Sequence, residues 1–510
     1  MAHLRSRRRH ALALPVGLAL IASLGFLPTG AASAAPVDDT AAAVSTDGPK
    51  LSYVVNTNGG HSTVKSVKKA IEKAGGTVVI AYDQIGVIVV HSQNPEFGQT
   101  IRKVKGVASA GATRTKPLSA QTTTDIKAEQ PLSAKEAKAA EAKASADQDA
   151  LEPLQWDLPA IKADKAHQKS LGSSKVTVGV IDTGVDDTHP DLAPNFDRRA
   201  SVNCVGGTPD TADGAWRPGP GESDHGTHVA GTIAAAKNGT GITGVAPGVK
   251  VSGIKVSQPD GFFYTEAVVC GFVWAAEHGV DVTNNSYYTD PWLFNCEDDP
   301  DQKALADAVT RATRYAEGKG VVNVAAAGNS DLDLAADELT DTSSPNDTVP
   351  GERVIDPKEC LDIPSQVSGV VTVSATGAKN LKASYSNYGL GVIDVAAPGG
   401  DRTAYQTPEA PAVNGLILST LPGGGFGYKG GTSMASPHAA GVAALIKSKH
   451  PYASPWLVKT LLTAQADATS CTNPYDIDGD GTVDAVCEGG KNKNGFYGAG
   501  VVDALDAVRW

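Results

Sequence analysis

The sequence predicts an α/β protein: a long body on a parallel sheet with helices on both faces, preceded by a small α+β unit. Three observations carry this. Beyond Trp156, apolar β-branched runs alternate with helix-like stretches, the pattern of strands buried between two helical layers. Between Leu51 and Ala110 the segments run strand, helix, strand, strand, helix, strand, the split βαβ or ferredoxin-like order. And 510 residues with 41% hydrophobic content are too long for one ordinary domain and too apolar for disorder.

The elements follow in chain order. Arg5, Arg7, Arg8, Arg9 and His10 form a basic head, Ala11 to Leu27 an apolar run, and Ala32-Ser33-Ala34 a small-residue cleavage site. Residues 1–34 therefore read as a secretory signal peptide, with Arg7-Arg8 also permitting a twin-arginine route. Pro15 and Gly17 inside the run argue against a membrane anchor, so the product is expected outside the cell and free of the membrane. Residues 35–115 hold the α+β unit: strands at Leu51–Val55, Thr77–Ala81, Ile85–Val90 and Val107–Ala110, and helices at Ser62–Ala74 and Phe97–Val104. Residues 116–150, rich in Ala, Lys, Glu, Thr and Gln, read as an exposed linker or marginal helix open to proteolysis. The body is 151–510, with strands at Val176–Ile181, Val249–Val256, Val280–Asn284, Val321–Ala326 and Val370–Ala375, and helices at His225–Ala236, Thr265–His278 and Asp301–Lys319.

Charge divides along the same line. Residues 1–150 hold 18 Lys+Arg against 12 Asp+Glu, and the remainder 26 against 44, so +6 precedes −18 within a net −12. A basic unit docking on an acidic body fits this asymmetry, and nucleic acid is excluded as the body's main partner. All six cysteines (Cys204, Cys270, Cys296, Cys360, Cys471, Cys487) lie in the body, and an even count in an exported chain implies disulfides. Of the pairings open to six cysteines, only Cys471 with Cys487 is suggested locally.

In a parallel sheet the ligand crevice lies at the carboxyl ends of the strands, and chemistry-bearing residues gather there. Asp182 follows the strand ending at Ile181 and is either a turn residue or an acid that orients a histidine. His225 and His228 stand at a helix start, in a spacing without the Glu and the i, i+4 register of zinc-binding helices. Asn329 follows Val321–Ala327. Ser433 sits in the first turn of an apolar helix after Gly430-Gly431, where free N–H groups and the helix dipole favour a nearby negative charge.

Together, Val180-Ile181-Asp182-Thr183-Gly184, His225-Gly226-Thr227-His228-Val229-Ala230-Gly231, Ala326-Ala327-Gly328-Asn329 and Gly431-Thr432-Ser433-Met434-Ala435-Ser436-Pro437-His438 resemble the motifs of the subtilisin-like serine peptidases. The resemblance runs from about Trp156 to the C-terminus. It implies Ser433 as nucleophile, His225 as general base and then acid, Asp182 as the residue fixing the imidazole tautomer, and Asn329 as an oxyanion donor beside the Ser433 N–H. His228 and His438 would be structural. The unit at 51–111 resembles the propeptide of that family, an intramolecular inhibitor and folding aid cleaved during maturation. The implied function is a secreted, monomeric, self-processing serine endopeptidase acting on proteins or peptides through an acyl-enzyme, with no cofactor for catalysis. Two alternatives stay open: a tripeptidyl aminopeptidase, if loops such as 291–300 close part of the cleft, and an inactive binding module.

Substrate is expected to add as a strand to a sheet edge. Where many relatives have Ser-Leu-Gly-Gly on one wall, this chain has Ser286-Tyr287-Tyr288-Thr289, which makes the usual bulky-residue preference doubtful; the opposite edge carries Gly261 and Phe262. Structural calcium is expected at two places. Asp191 and Asn238 match ligand positions of a calcium site in relatives. Asp476, Asp478, Asp480, Thr482 and Asp484 present oxygens at EF-hand spacing, although Cys487 stands where the loop's last acid belongs. This second stretch reads equally as a polar loop closed by Cys471 and Cys487.

Overall fold

The computed structural model describes residues 48–118, 130–403, 406–412, 414–477 and 479–509. The expected signal peptide and Asp478 lie outside these residues, as do positions 119–129 of the expected linker.

The first unit is a four-stranded antiparallel sheet of β1 (Leu51–Thr57), β2 (Gly76–Tyr82), β3 (Val87–Ser92) and β4 (Val107–Ala112), in the order β2-β3-β1-β4. Helices α1 (His61–Lys73) and α2 (Phe97–Arg102) cover one face, burying Val64, Val67, Ile71 and Phe97 against Tyr53, Val55, Ile88 and Val90. Side chains alternate across a strand, so Val54, Val87 and Val89 point the other way. They too are buried, among residues of the main body. Burial on both faces is why β1 and β3 read as continuous apolar runs, and it is the reason this unit docks.

After β5 (Gln130–Pro131), a capping box of Ser133 and Glu136 starts α3 (Ala134–Glu141). The body is built on a seven-stranded parallel sheet: β6 (Thr177–Asp182), β7 (Val202–Asn203), β8 (Lys250–Lys255), β9 (Val282–Asn285), β10 (Val322–Ala326), β11 (Val371–Thr376) and β12 (Val395–Pro398). Its order is β12-β11-β10-β9-β6-β8-β7. The sheet is sandwiched between α4 (His225–Ala234) and α7 (Thr432–Lys449) on one face and α5 (Thr265–Glu277) and α6 (Pro300–Gly318) on the other. These are the three layers the alternation predicts. From β6 the chain goes to β7 and β8 on one side and then to β9 on the other, a switch point that leaves a crevice at the carboxyl end of β6. A hairpin of β13 (Ile417–Leu421) and β14 (Gly425–Lys429) precedes α7, and β5 adds to its edge.

The cysteines pair as Cys204–Cys270, Cys296–Cys360 and Cys471–Cys487. The locally suggested pair is thus present, and the other two join segments 66 and 64 residues apart. Among the described residues no helix is long and apolar enough to cross a membrane.

Candidate active site

Asp182 is the last residue of β6 and is fully buried; His225 is the first of α4, its side chain 22% exposed. His225 Nδ1 meets Asp182 Oδ1 at 2.8 Å, and the Thr183 N–H donates to the same oxygen at 2.7 Å. A carboxylate can only accept, so the imidazole proton sits on Nδ1 and Nε2 is free to take another. The approach is close: a Cβ on Gly226 would stand 2.4 Å from the Gly184 carbonyl oxygen and 3.1 Å from Asp182 Cβ. Only glycine fits after His225.

Ser433 lies in the first turn of α7, and its Oγ donates to the Ser286 carbonyl at 3.2 Å. A relay from β9 fixes this turn. Ser436 Oγ donates to Asn284 Oδ1 (2.7 Å), Asn284 Nδ2 to Ser286 Oγ (2.9 Å), and Ser286 Oγ to the Ser433 carbonyl (2.9 Å). Asn329 follows β10 past Gly328, whose φ of +100° suits glycine; a Cβ there would strike Asn387 Nδ2 at 2.4 Å. Asn329 Oδ1 accepts from both the N–H and the hydroxyl of Thr432, each at 2.8 Å. With its oxygen committed, the amide is oriented with only its NH2 left to give. His225, Asn329 and Ser433 line one cavity of about 450 Å³. Two N–H donors, a serine and an imidazole held in one tautomer form a set suited to acyl transfer through an oxyanion.

His228 and His438 lie behind this site, both fully buried. His228 Nε2 faces the Ile417 and Gly427 carbonyls at 3.1 Å each, tying α4 to the hairpin. Burial, followed by the nearby Lys429 and His225 charges, pushes its pKa well below the usual histidine range. His438 bridges the Met434 carbonyl (2.7 Å) and Asp157 (3.0 Å).

The expected substrate walls converge on the same cavity: Gly261 and Phe262 on one side, Ser286, Tyr287 and Tyr288 on the other. Tyr287 is packed rather than projecting, its ring stacked on Phe263 at 4.6 Å and its hydroxyl donating to Asn285 Oδ1 at 3.0 Å. Tyr288 Oη accepts from Asn346 Nδ2 at 2.7 Å. Phe262 is half-buried, stacked on Tyr264, with Lys116 Nζ 4.2 Å above its ring and paired with Asp260. Asp290, Asn346, Asp362 and Lys429 also reach the cavity. No motif marks them, because long-range pairing brings them there.

Asp191 and Asn238 do meet, as acceptor and donor: Asn238 Nδ2 gives to Asp191 Oδ1 at 3.2 Å, and the Ile242 N–H to Oδ2 at 2.9 Å. In the C-terminal loop, Asp476 accepts from the N–H groups of Gly479, Asp480 and Gly481, Asp480 from Thr482, and Asp484 from Ile477. Among the described residues no group of three His, Cys, Asp or Glu side chains is placed to hold a metal ion.

Compared with models of protein families, residues 173–500 match the Peptidase S8 model, described as the subtilase family. Subtilisin BL of Lederbergia lenta is 34% identical over 331 residues, 65% of this chain and 96% of that protein. Fervidolysin of Fervidobacterium pennivorans is 28% identical over 442 residues, 83% of this chain and 55% of its own. Among solved structures, the epidermin leader peptide processing serine protease of Staphylococcus aureus shares the fold with a TM-score of 0.64 at 23% identity, covering 90% of this chain and 98% of that one.

Proposed function

The chain belongs to the subtilase family of serine peptidases, and from that premise we propose that Asp182, His225 and Ser433 are the triad of a secreted, monomeric endopeptidase made as a self-processing precursor. One observation carries the reading: the His225–Asp182 pair opens onto the cavity that also holds Ser433 and Asn329. Ser433 Oγ turns from the Ser286 carbonyl to attack a peptide carbonyl carbon while His225 Nε2 takes its proton. Asp182 stabilises the imidazolium through Nδ1–H. The oxyanion receives hydrogen bonds from Asn329 Nδ2 and the Ser433 N–H. His225 then protonates the leaving amine, and water, activated by the same imidazole, releases the acyl group.

The unit within 35–115 is the inhibitory propeptide, and processing falls in the linker 116–150. Support comes from the two anchor points that flank the cavity: Lys116 against Asp260 and Phe262, and Gln130–Pro131 along β14, whose last residue, Lys429, reaches the same cavity. Structural calcium belongs to the proposal. What supports it is donor chemistry alone: the Asp191 carboxylate adjoins the Asn238 amide, and Asp476, Asp480 and Asp484 lie on one short loop. A chelator that leaves the unfolding midpoint unchanged refutes that part.

The test of the main reading is a set of N-blocked peptides and a fluorophosphonate. Internal cleavage by the wild-type protein, with Ser433 labelled and activity lost in Ser433→Ala, is expected. Cleavage confined to peptides with a free N-terminus would instead favour the tripeptidyl aminopeptidase, and no labelling the inactive binding module.

A further inference from the structure

The cavity beside Ser433 contains a carboxylate that the acyl-transfer steps do not use. Asp362 is 2% exposed, and its Oδ1 has no hydrogen-bond partner among the described residues. Its backbone is fixed: the N–H donates to Gln366 Oε1 at 2.7 Å, Leu361 pairs with Asn295, and Cys360 is bonded to Cys296. Asp362 Oδ2 lies 3.8 Å from the point where a Cβ on Gly328 would stand, beneath the turn that presents Asn329. The acid thus lines the cavity that Asn329 and Ser433 also line.

The other charged groups of the cavity have partners, although burial also pushes the Asp290 carboxyl up, to about 7. Asp290 accepts from the Phe263 N–H and from Asn346 Nδ2, one at each oxygen. Asp260 is paired with Lys116, and Lys429 with Asp224 at 2.8 Å. Burial pushes the Asp362 carboxyl up to about 8 against the lowering effect of a Ser365 side-chain hydrogen bond, the condition of an acid whose ionised form lacks a counter-charge. Tyr288, Leu293 and Ala326 line the way in, an apolar sleeve suited to an aliphatic stem with a polar head.

We propose that Asp362 is a specificity-determining residue: it receives the ammonium or guanidinium of a lysine or arginine placed immediately before the bond that Ser433 attacks, so that the enzyme cleaves after basic residues. This rests on the endopeptidase reading above.

The experiment compares N-blocked peptides, identical except for that residue, which is lysine, acetyl-lysine, arginine or citrulline. After the full chain has processed itself, its kcat/KM is expected to be about 100-fold higher for the charged member of each pair, as for a site whose buried polar group the neutral analogue leaves unpaired. Asp362→Asn should bring the lysine to acetyl-lysine ratio to about one, and Asp362→Glu should retain a preference for lysine. A wild-type ratio near one, or a preference that survives Asp362→Asn, overturns the proposal, and the wild-type ratio decides alone if the variants do not fold. Ser433 labelling separates the two readings. A labelled serine without basic preference, or without hydrolysis of the basic peptides, overturns this inference only, whereas an unlabelled serine with no hydrolysis overturns both.

Discussion

The contact between the N-terminal unit and the body includes one buried ion pair whose removal has a calculable cost. Arg114 and Glu266 are shut off from water, with side chains 2% and 1% exposed, and the guanidinium lies 3.9 Å from the Tyr264 ring centroid. Burial alone would push the Glu266 carboxyl up; the Arg114 charge and hydrogen bonds outweigh it and hold it below the usual glutamate range. Arg114→Ala leaves that carboxylate in a dry site, from which it escapes by taking a proton. Protonating a glutamate of ordinary pKa near 4.3 costs about 3.7 kcal/mol at pH 7 and about 1 kcal/mol at pH 5, which bounds the penalty. Losing the cation–ring contact adds about 1 kcal/mol at either pH. The signs agree. In the native chain the depressed pKa contributes stability that is present above the unfolded pKa and lost as pH falls through the folded one. In the variant the raised pKa costs stability as pH climbs past about 4.3. Urea unfolding of the full chain carrying Ser433→Ala, with and without Arg114→Ala, should show a gap of about 4–5 kcal/mol at pH 7 and about 2 kcal/mol at pH 5. A gap below about 1 kcal/mol at pH 7, or one that does not change with pH, refutes the reasoning.

Three further outcomes are expected. Asn329→Ala should lower kcat by about 100- to 1000-fold with KM little changed, since its amide acts on charge that develops after binding; a loss under about 10-fold removes it from the mechanism. His228, held neutral by burial, protonates only in the unfolded chain, so stability should fall as pH drops below about 6.5. His228→Gln should flatten that fall between about pH 6.5 and 5, and an unchanged slope in the unfolding midpoint would count against it. Replacing Cys471 and Cys487 together with serine opens a bridge spanning 16 residues, and the thermal midpoint should drop by the equivalent of about 3 kcal/mol. An unmoved midpoint would mean that the loop is held by other contacts.

Where sequence and structure agree, the signal is local. Residues 51–110 announce their strands and helices because each apolar period matches a buried face. Asp182, His225, Asn329 and Ser433 are legible because each sits at the junction of a strand or helix with a glycine-bearing turn. The hairpin 417–429 and the helix Pro455–Ala464 also carry local marks, Pro422-Gly423-Gly424 and the Ser454 cap, that the alternation of strands and helices does not bring forward. Asp362 and Asp290 have no such mark. Their place in the cavity depends on the pairing of Asn295–Cys296 with Cys360–Leu361 and on Asn346, contacts between segments whose association no periodicity encodes. The two long-range disulfides were equally hidden. The walls Ser286–Tyr288 and Gly261–Phe262 could be located, but not the inward packing of Tyr287.

The relay from Ser436 through Asn284 and Ser286 to Ser433 joins residues 152 and 147 positions apart, and Asp182 stands 43 from His225. Bringing such distant segments together is slow compared with forming a helix, because loop closure must be completed before any contact repays it. No early folding intermediate, and no fragment lacking either the Asp182–His225 pair or the Asn284–Ser436 link, would hold these groups together. On the proposed reading of Ser433 as nucleophile, its reactivity is therefore a clock for the last stage of folding. Timed trapping of that residue during renaturation would count finished molecules one by one while spectroscopic signals are still reporting partly folded ones.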